Sequence, residues 1–160
     1  FVVTIVFSFF LAGCHDIIDA VSGINSKANE AAKAISVDVH TLRSIPIQME
    51  NQQTVTVNDF IKAILRDVQW KHEKKGELEE LIADGSWKEG LFNEYGFTTK
   101  QKEVLKETGE VIVQFFFNDN QLQVDLTTVV LTNKDGILVR LTGKDALTSL
   151  QQAYNESLSE

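Results

Sequence analysis

The chain has 160 residues, 43% hydrophobic and 24% charged, with a net charge of −8, one cysteine and one proline. This is a globular composition rather than a disordered one. The acidity removes the basic footprint of a nucleic-acid binder and argues against adhesion to anionic lipid through a polybasic face. A lone cysteine excludes an internal disulfide, so stability must come from packing.

Residues 1–14 read Phe-Val-Val-Thr-Ile-Val-Phe-Ser-Phe-Phe-Leu-Ala-Gly-Cys, an uncharged apolar run that ends in small residues. That is the pattern of the hydrophobic region and cleavage zone of an export signal. A membrane-spanning helix needs about 20 apolar residues, and His15 and Asp16 close this run sooner. An ordinary secretory signal and a buried strand or helix are the other readings of the same residues.

Leu11-Ala12-Gly13-Cys14 resembles the lipobox of bacterial lipoproteins. The resemblance implies a diacylglyceryl group on the Cys14 sulfur and cleavage between Gly13 and Cys14, with the new amino group often acylated as well. Two chains give a durable anchor where one binds a membrane only marginally. Family signals begin with Met and a basic segment, whereas this chain starts at Phe1, so such a segment is expected to precede it. His15 comes directly after the cysteine. In Gram-negative lipoproteins an Asp at that position is linked to inner-membrane retention, so the resemblance implies the outer membrane, facing the periplasm. The resemblance covers the signal alone and assigns no family to the residues beyond Cys14.

Three regions are therefore expected: a signal peptide over 1–13, a lipid anchor and tether helix over 14–35, and a single domain over 36–160. Even without the signal the chain is long enough to bury a substantial core. In the tether, Ile17, Val21, Ile24, Ala28, Ala31 and Ile35 recur at spacings of four and three, giving one narrow helical stripe. It can dock on a partner, self-associate, or cover the domain's own sheet.

Residues 36–57 look extended. Val37 and Val39 alternate, as do Ile45, Ile47 and Met49, and Thr54 to Val57 is strand-like. Pro46 would hold its strand at an edge, and residues 50–53 form a turn. Asn58 reads as the N-cap of a short helix carrying Phe60, Ile61, Ile64, Leu65 and Val68 on one face. Trp70 then falls in a short strand, and Lys71 to Glu77 is a charged turn.

From Leu78 to Gly109 the expectation is short helical turns broken by glycines. Capping boxes start at Ser86 and Thr98, and Gly85, Gly96 and Gly109 stand where left-handed C-caps would go. A segment this interrupted suits a surface shaped for a partner. The candidate binding surface is accordingly Trp70, Trp87, Phe92 and Tyr95.

Residues 110–143 predict an antiparallel meander. Val111, Val113, Phe115 and Phe117 alternate, residues 118–120 turn the chain, and Leu122, Val124 and Leu126 alternate again with a bulge near Thr127. Asn133-Lys134-Asp135-Gly136 is a hairpin turn before Ile137, Val139 and Leu141. Apolar residues on both sides of the strand, Ile112 and Phe116 included, predict a central strand covered on both faces. A last helix from Lys144 to about Leu158 sets Leu147, Leu150, Tyr154 and Leu158 on one side.

The fold class is thus α+β: an N-terminal helix, then an antiparallel meander packed by short helices and a C-terminal helix. The order is similar to cystatin-like and NTF2-like arrangements, a likeness of fold that implies no function. His15, His40 and His72 share no ligand spacing, so no metal site is expected. No nucleophile elbow, phosphate loop or dinucleotide pattern is present, so neither a catalytic residue nor a cofactor is expected. The reading is a lipid-anchored cell-envelope protein that binds or scaffolds an envelope protein partner without enzymatic activity. The alternative is a periplasmic carrier of a small apolar ligand, with the phenylalanine-rich strand lining its cavity.

Overall fold

Residues 39–49 and 52–159 are described by the computed structural model, all within the structural unit Ile35–Glu160. The expected signal, Gly13, Cys14 and the tether over 14–35 lie outside the described residues.

Residues 39–43 are helical rather than extended, and Val39 and Leu42 turn into the core. Strands β1 (Pro46–Gln48) and β2 (Thr54–Thr56) pair antiparallel as a separate ribbon in which Pro46 stands opposite Thr56. Ile45 with Val57 and Met49 with Gln53 are the hydrogen-bonded pairs, so Pro46 falls at a non-bonded position and its missing N–H costs no ladder bond.

Helix α1 (Val57–Ile64) starts two positions earlier than a cap at Asn58 would allow. The cap is Thr56, whose hydroxyl oxygen accepts from the Asp59 N–H at 3.1 Å. Asn58 instead receives the Arg43 guanidinium, Nε donating to Oδ1 at 3.0 Å. At the other end the Lys88 ammonium donates to the Ala63 carbonyl at 3.0 Å, which suits the negative pole of a helix.

The chain then departs most from its local pattern. Leu65–Lys75 and Leu78–Trp87 are long strands, β3 and β4, joined as a hairpin. Gly76, the first of the two turn residues, has φ 67°, the left-handed backbone that a primed hairpin turn requires there. Leu65 and Val68 therefore belong to a strand, and Gly85 lies inside β4 rather than ending a helix. Helical spacing of Leu78, Leu81 and Ile82 is overridden because β4 sits between β3 and β5 with both neighbours hydrogen-bonded.

A 3₁₀ turn at Asn93–Tyr95 and helix α2 (Thr99–Thr108) come next. The box at Thr98 is present: Thr98 Oγ1 accepts from the Gln101 N–H, and Gln101 Oε1 accepts from the Thr98 N–H. Strand β5 (Glu110–Asn118) turns through left-handed Asp119 and Asn120 into β6 (Gln121–Leu122). The expected long strand stops there. Val124–Leu126 forms a 3₁₀ turn where alternation suggested strand and bulge, and β7 (Thr128–Asn133) begins after it. The Asn133–Gly136 turn is as read, with Asn133 Oδ1 accepting from the Asp135 N–H at 2.8 Å. It leads into β8 (Gly136–Thr142) and helix α3 (Gly143–Ser157).

The sheet runs β3-β4-β5-β7-β8, antiparallel throughout, with β6 against β5. The architecture is α+β. On the inner face Leu81, Ala83, Trp87, Val111, Val113, Phe115 and Phe117 are completely buried, in one core with Phe60 and Ile61 of α1 and Leu150 of α3. The Phe60 and Tyr154 rings join the two helices, their centroids 5.4 Å apart.

The outer face is covered less than the pattern of β5 suggested, since Ile112, Gln114 and Phe116 are only half-buried. Within it Glu80 is completely buried, paired with the Lys75 ammonium and accepting from the Gln114 amide at 2.9 Å. On α3 the buried side is formed by Ala146, Leu150 and Ala153, while Leu158 is 59% exposed, because the helix ends before that residue can face the sheet.

Gly109 caps no helix in a left-handed turn; its φ is −77°. A Cβ there would stand 2.6 Å from the Leu105 carbonyl oxygen and 2.9 Å from the Trp87 Cβ. Glycine lets the end of α2 press onto β4. We expect Gly109→Ala to destabilise the fold by about 2 kcal/mol through forced displacement, seen as a lower denaturant midpoint with an unchanged slope.

Candidate functional site

Sequence reading chose Trp70, Trp87, Phe92 and Tyr95 as a surface, and the fold does not assemble them. Trp87 and Phe92 are completely buried, so they cannot belong to an exposed binding face. Trp87 Nε1–H donates to the Leu91 carbonyl at 3.0 Å, which satisfies its one polar atom inside the core. Trp70 is half-buried on β3, with the Arg43 guanidinium 4.9 Å from its ring centroid. Only Tyr95 is open, 44% exposed and stacked on Phe97 at 6.3 Å.

An apolar opening beside Phe97, the ring on which Tyr95 stacks, comes from how α2 is held. Its one buried residue is Leu105. The rest of its attachment is polar. Arg66 Nη2 donates to the Trp87 carbonyl at 3.1 Å and to the Lys106 carbonyl at 2.6 Å, tying two strands to the helix C-terminus. Glu89 meets Lys106 at 2.7 Å and Lys102 at 3.3 Å. Those two ammonium groups, Lys106 first, hold its carboxyl below the ordinary carboxylate range.

Pinned along that side, α2 stands away from the β7–β8 hairpin and leaves a groove of about 390 Å³. Phe97, Val104, Leu105 and Leu138 form its apolar floor and walls, with Lys100, Gln101, Asn133 and Asp135 at the rim. Val104 is 37% exposed and Leu138 44% exposed. An apolar floor with a polar rim is the anatomy of a protein-docking surface. Local pattern could not find it, because Val104 and Leu138 come from separate elements and meet only through the fold.

A second cleft, also of about 390 Å³, lies by the hairpin end of β3 and β4, where His72, Lys74, Glu79, Thr41 and Asn120 gather. His72 Nε2 is 2.6 Å from Glu79 Oε2. An ionised carboxylate can only accept, so Nε2 carries the proton. Lys74 approaches the other oxygen at 3.3 Å. A hairpin predicted over 65–87 would have brought this pair together on paper, since His72 stands opposite Leu81 and Lys74 opposite Glu79. Among the described residues no three His, Cys, Asp or Glu side chains gather as a metal ion would need.

The His72 hydrogen bond, reinforced by Lys74 against the opposing effect of burial, lowers the Glu79 carboxyl from its ordinary 4.5. A depressed carboxyl contributes stability above its unfolded pKa and loses it as pH falls through the folded one. Glu79→Gln should therefore unfold at lower urea than the parent at neutral pH. That gap should close on acidification below the carboxylate range, as measured by urea midpoints across pH.

Compared with protein-family models, with curated proteins and with solved structures, the chain matches none.

Proposed function

We propose that this is a lipid-anchored protein of the bacterial cell envelope, tethered through Cys14, whose folded domain binds a protein partner and performs no chemistry of its own. The observation that carries the binding part is the groove between α2 and the β7–β8 hairpin, apolar within and polar at its rim. Exposed Tyr95, Val104, Ile137 and Leu138 are the side chains a partner would desolvate. The lipobox Leu11-Ala12-Gly13-Cys14 carries the anchoring part. Among the described residues no helix is long and apolar enough to cross a membrane.

The carrier alternative draws less support. Phe115 and Phe117, which would line its cavity, are completely buried with ring centroids 6.4 Å apart, and join the common core.

In cells, the wild type should take up labelled palmitate and pellet with membranes, whereas Cys14→Ser should lose both. A photo-crosslinking residue at Val104 should trap one protein partner in intact membranes, and the same residue at Lys71 should trap far less. Pelleting of the unlabelled Cys14→Ser protein would remove the anchor. Equal or absent capture at the two positions would remove the groove.

A further inference from the structure

The sheet has two open edges among the described residues, and they are built differently. Edge β3 exposes Lys71, Glu73, Lys74 and Lys75, and its ladder breaks between Arg66 and Gln69, where Asp67 is left-handed at φ 53°. Both edge ladders carry a register shift, so it is the crowding of four exposed charges that sets β3 apart and keeps such an edge from pairing with another chain. Edge β8 carries a single charge, Arg140, and exposes Ile137 to 56% and Leu138 to 44%.

The β7–β8 ladder steps from Leu131↔Val139 to Thr132↔Ile137, leaving Leu138 as the extra residue. A bulge re-aims a side chain, and Leu138 lines the groove while belonging to the edge strand. Backbone edge and apolar groove are therefore one continuous surface. The partner's charge is legible too. From Asn133 to Lys144 there are three cations, Lys134, Arg140 and Lys144, against one carboxylate, Asp135, in a chain whose net charge is −8. A second copy would set this cationic stretch against itself.

Building on the partner-binding reading, we propose that β8 accepts an extended segment of the partner by β-addition, with alternating apolar and acidic side chains. Main-chain hydrogen bonds to β8 supply affinity, the groove takes apolar side chains at the hairpin end, and Arg140 selects for acid.

The probes are an alternating valine–glutamate peptide, its two forms N-methylated at every second amide in either phase, and a valine–lysine counterpart. Each is added to the full chain, with hydrogen exchange and peptide anisotropy as readouts. The valine–glutamate peptide should slow exchange across Gly136–Thr142 and leave Leu65–Lys75 unchanged. One N-methylated phase should abolish the effect. The lysine peptide should bind about tenfold more weakly, and Arg140→Glu should invert that preference.

Absent protection of β8, or protection indifferent to both N-methylated phases, overturns β-addition. So does protection of β8 that comes from dimerisation of the chain itself. Capture at Val104 combined with any of these leaves partner binding standing and removes only the strand. Loss of capture at Val104 removes the broader reading.

Discussion

Val111, Val113, Phe115 and Phe117 on β5, with Leu81, Ala83 and Trp87 on β4, make a continuous apolar layer to which the rest of the domain is fastened. Each valine, leucine and phenylalanine among them contributes on the order of 1.5–3 kcal/mol on burial. Helices α1 and α3 join the same core through Phe60, Ile61 and Leu150, and are linked to each other at Phe60 and Tyr154. Because these rings fill the space between sheet and helices, the open apolar surface beside α2 lies at the rim rather than inside.

The rim differs because α2 is attached by other forces. Arg66 and Glu89 clamp it through charge-assisted contacts, and Gly109 lets its last turn touch Trp87. Leu105 is its single buried side chain. An amphipathic helix fastened by apolar contact alone would have turned Val104 inward. Here the polar clamp fixes its rotation and leaves Val104 facing the hairpin across the groove. The attachment of α2 and the groove beside it thus arise from the same few contacts.

Much of the second half of the fold was legible locally. The alternation of Val111, Val113, Phe115 and Phe117, the Asn133–Gly136 turn and the Thr98–Gln101 box each rest on neighbours within a few residues. The β3–β4 hairpin was not legible, because Leu78, Leu81 and Ile82 keep helical spacing and only pairing on both sides makes β4 a strand. Trp87 and Phe92 were misread for a related reason. Bulky aromatics near glycines resemble a recognition surface until the strand that buries them is known. The groove and the His72–Glu79 pair depend on contacts between separate segments, so residue types alone could not locate them.

The buried carboxylate on the outer face has a bearing on how the strands find each other. A slip of one position between β4 and β5 turns every side chain of one strand over. With β5 turned over, Glu80 would keep Lys75 of β3 but lose the Gln114 amide and meet the phenylalanine layer in its place, at a cost of about 1–3 kcal/mol for the unpaired oxygen. A purely aliphatic residue there would tolerate that mistake far better. The Glu80–Gln114 hydrogen bond thus marks the correct alignment of β4 on β5, a distinction that hydrophobicity by itself would not draw.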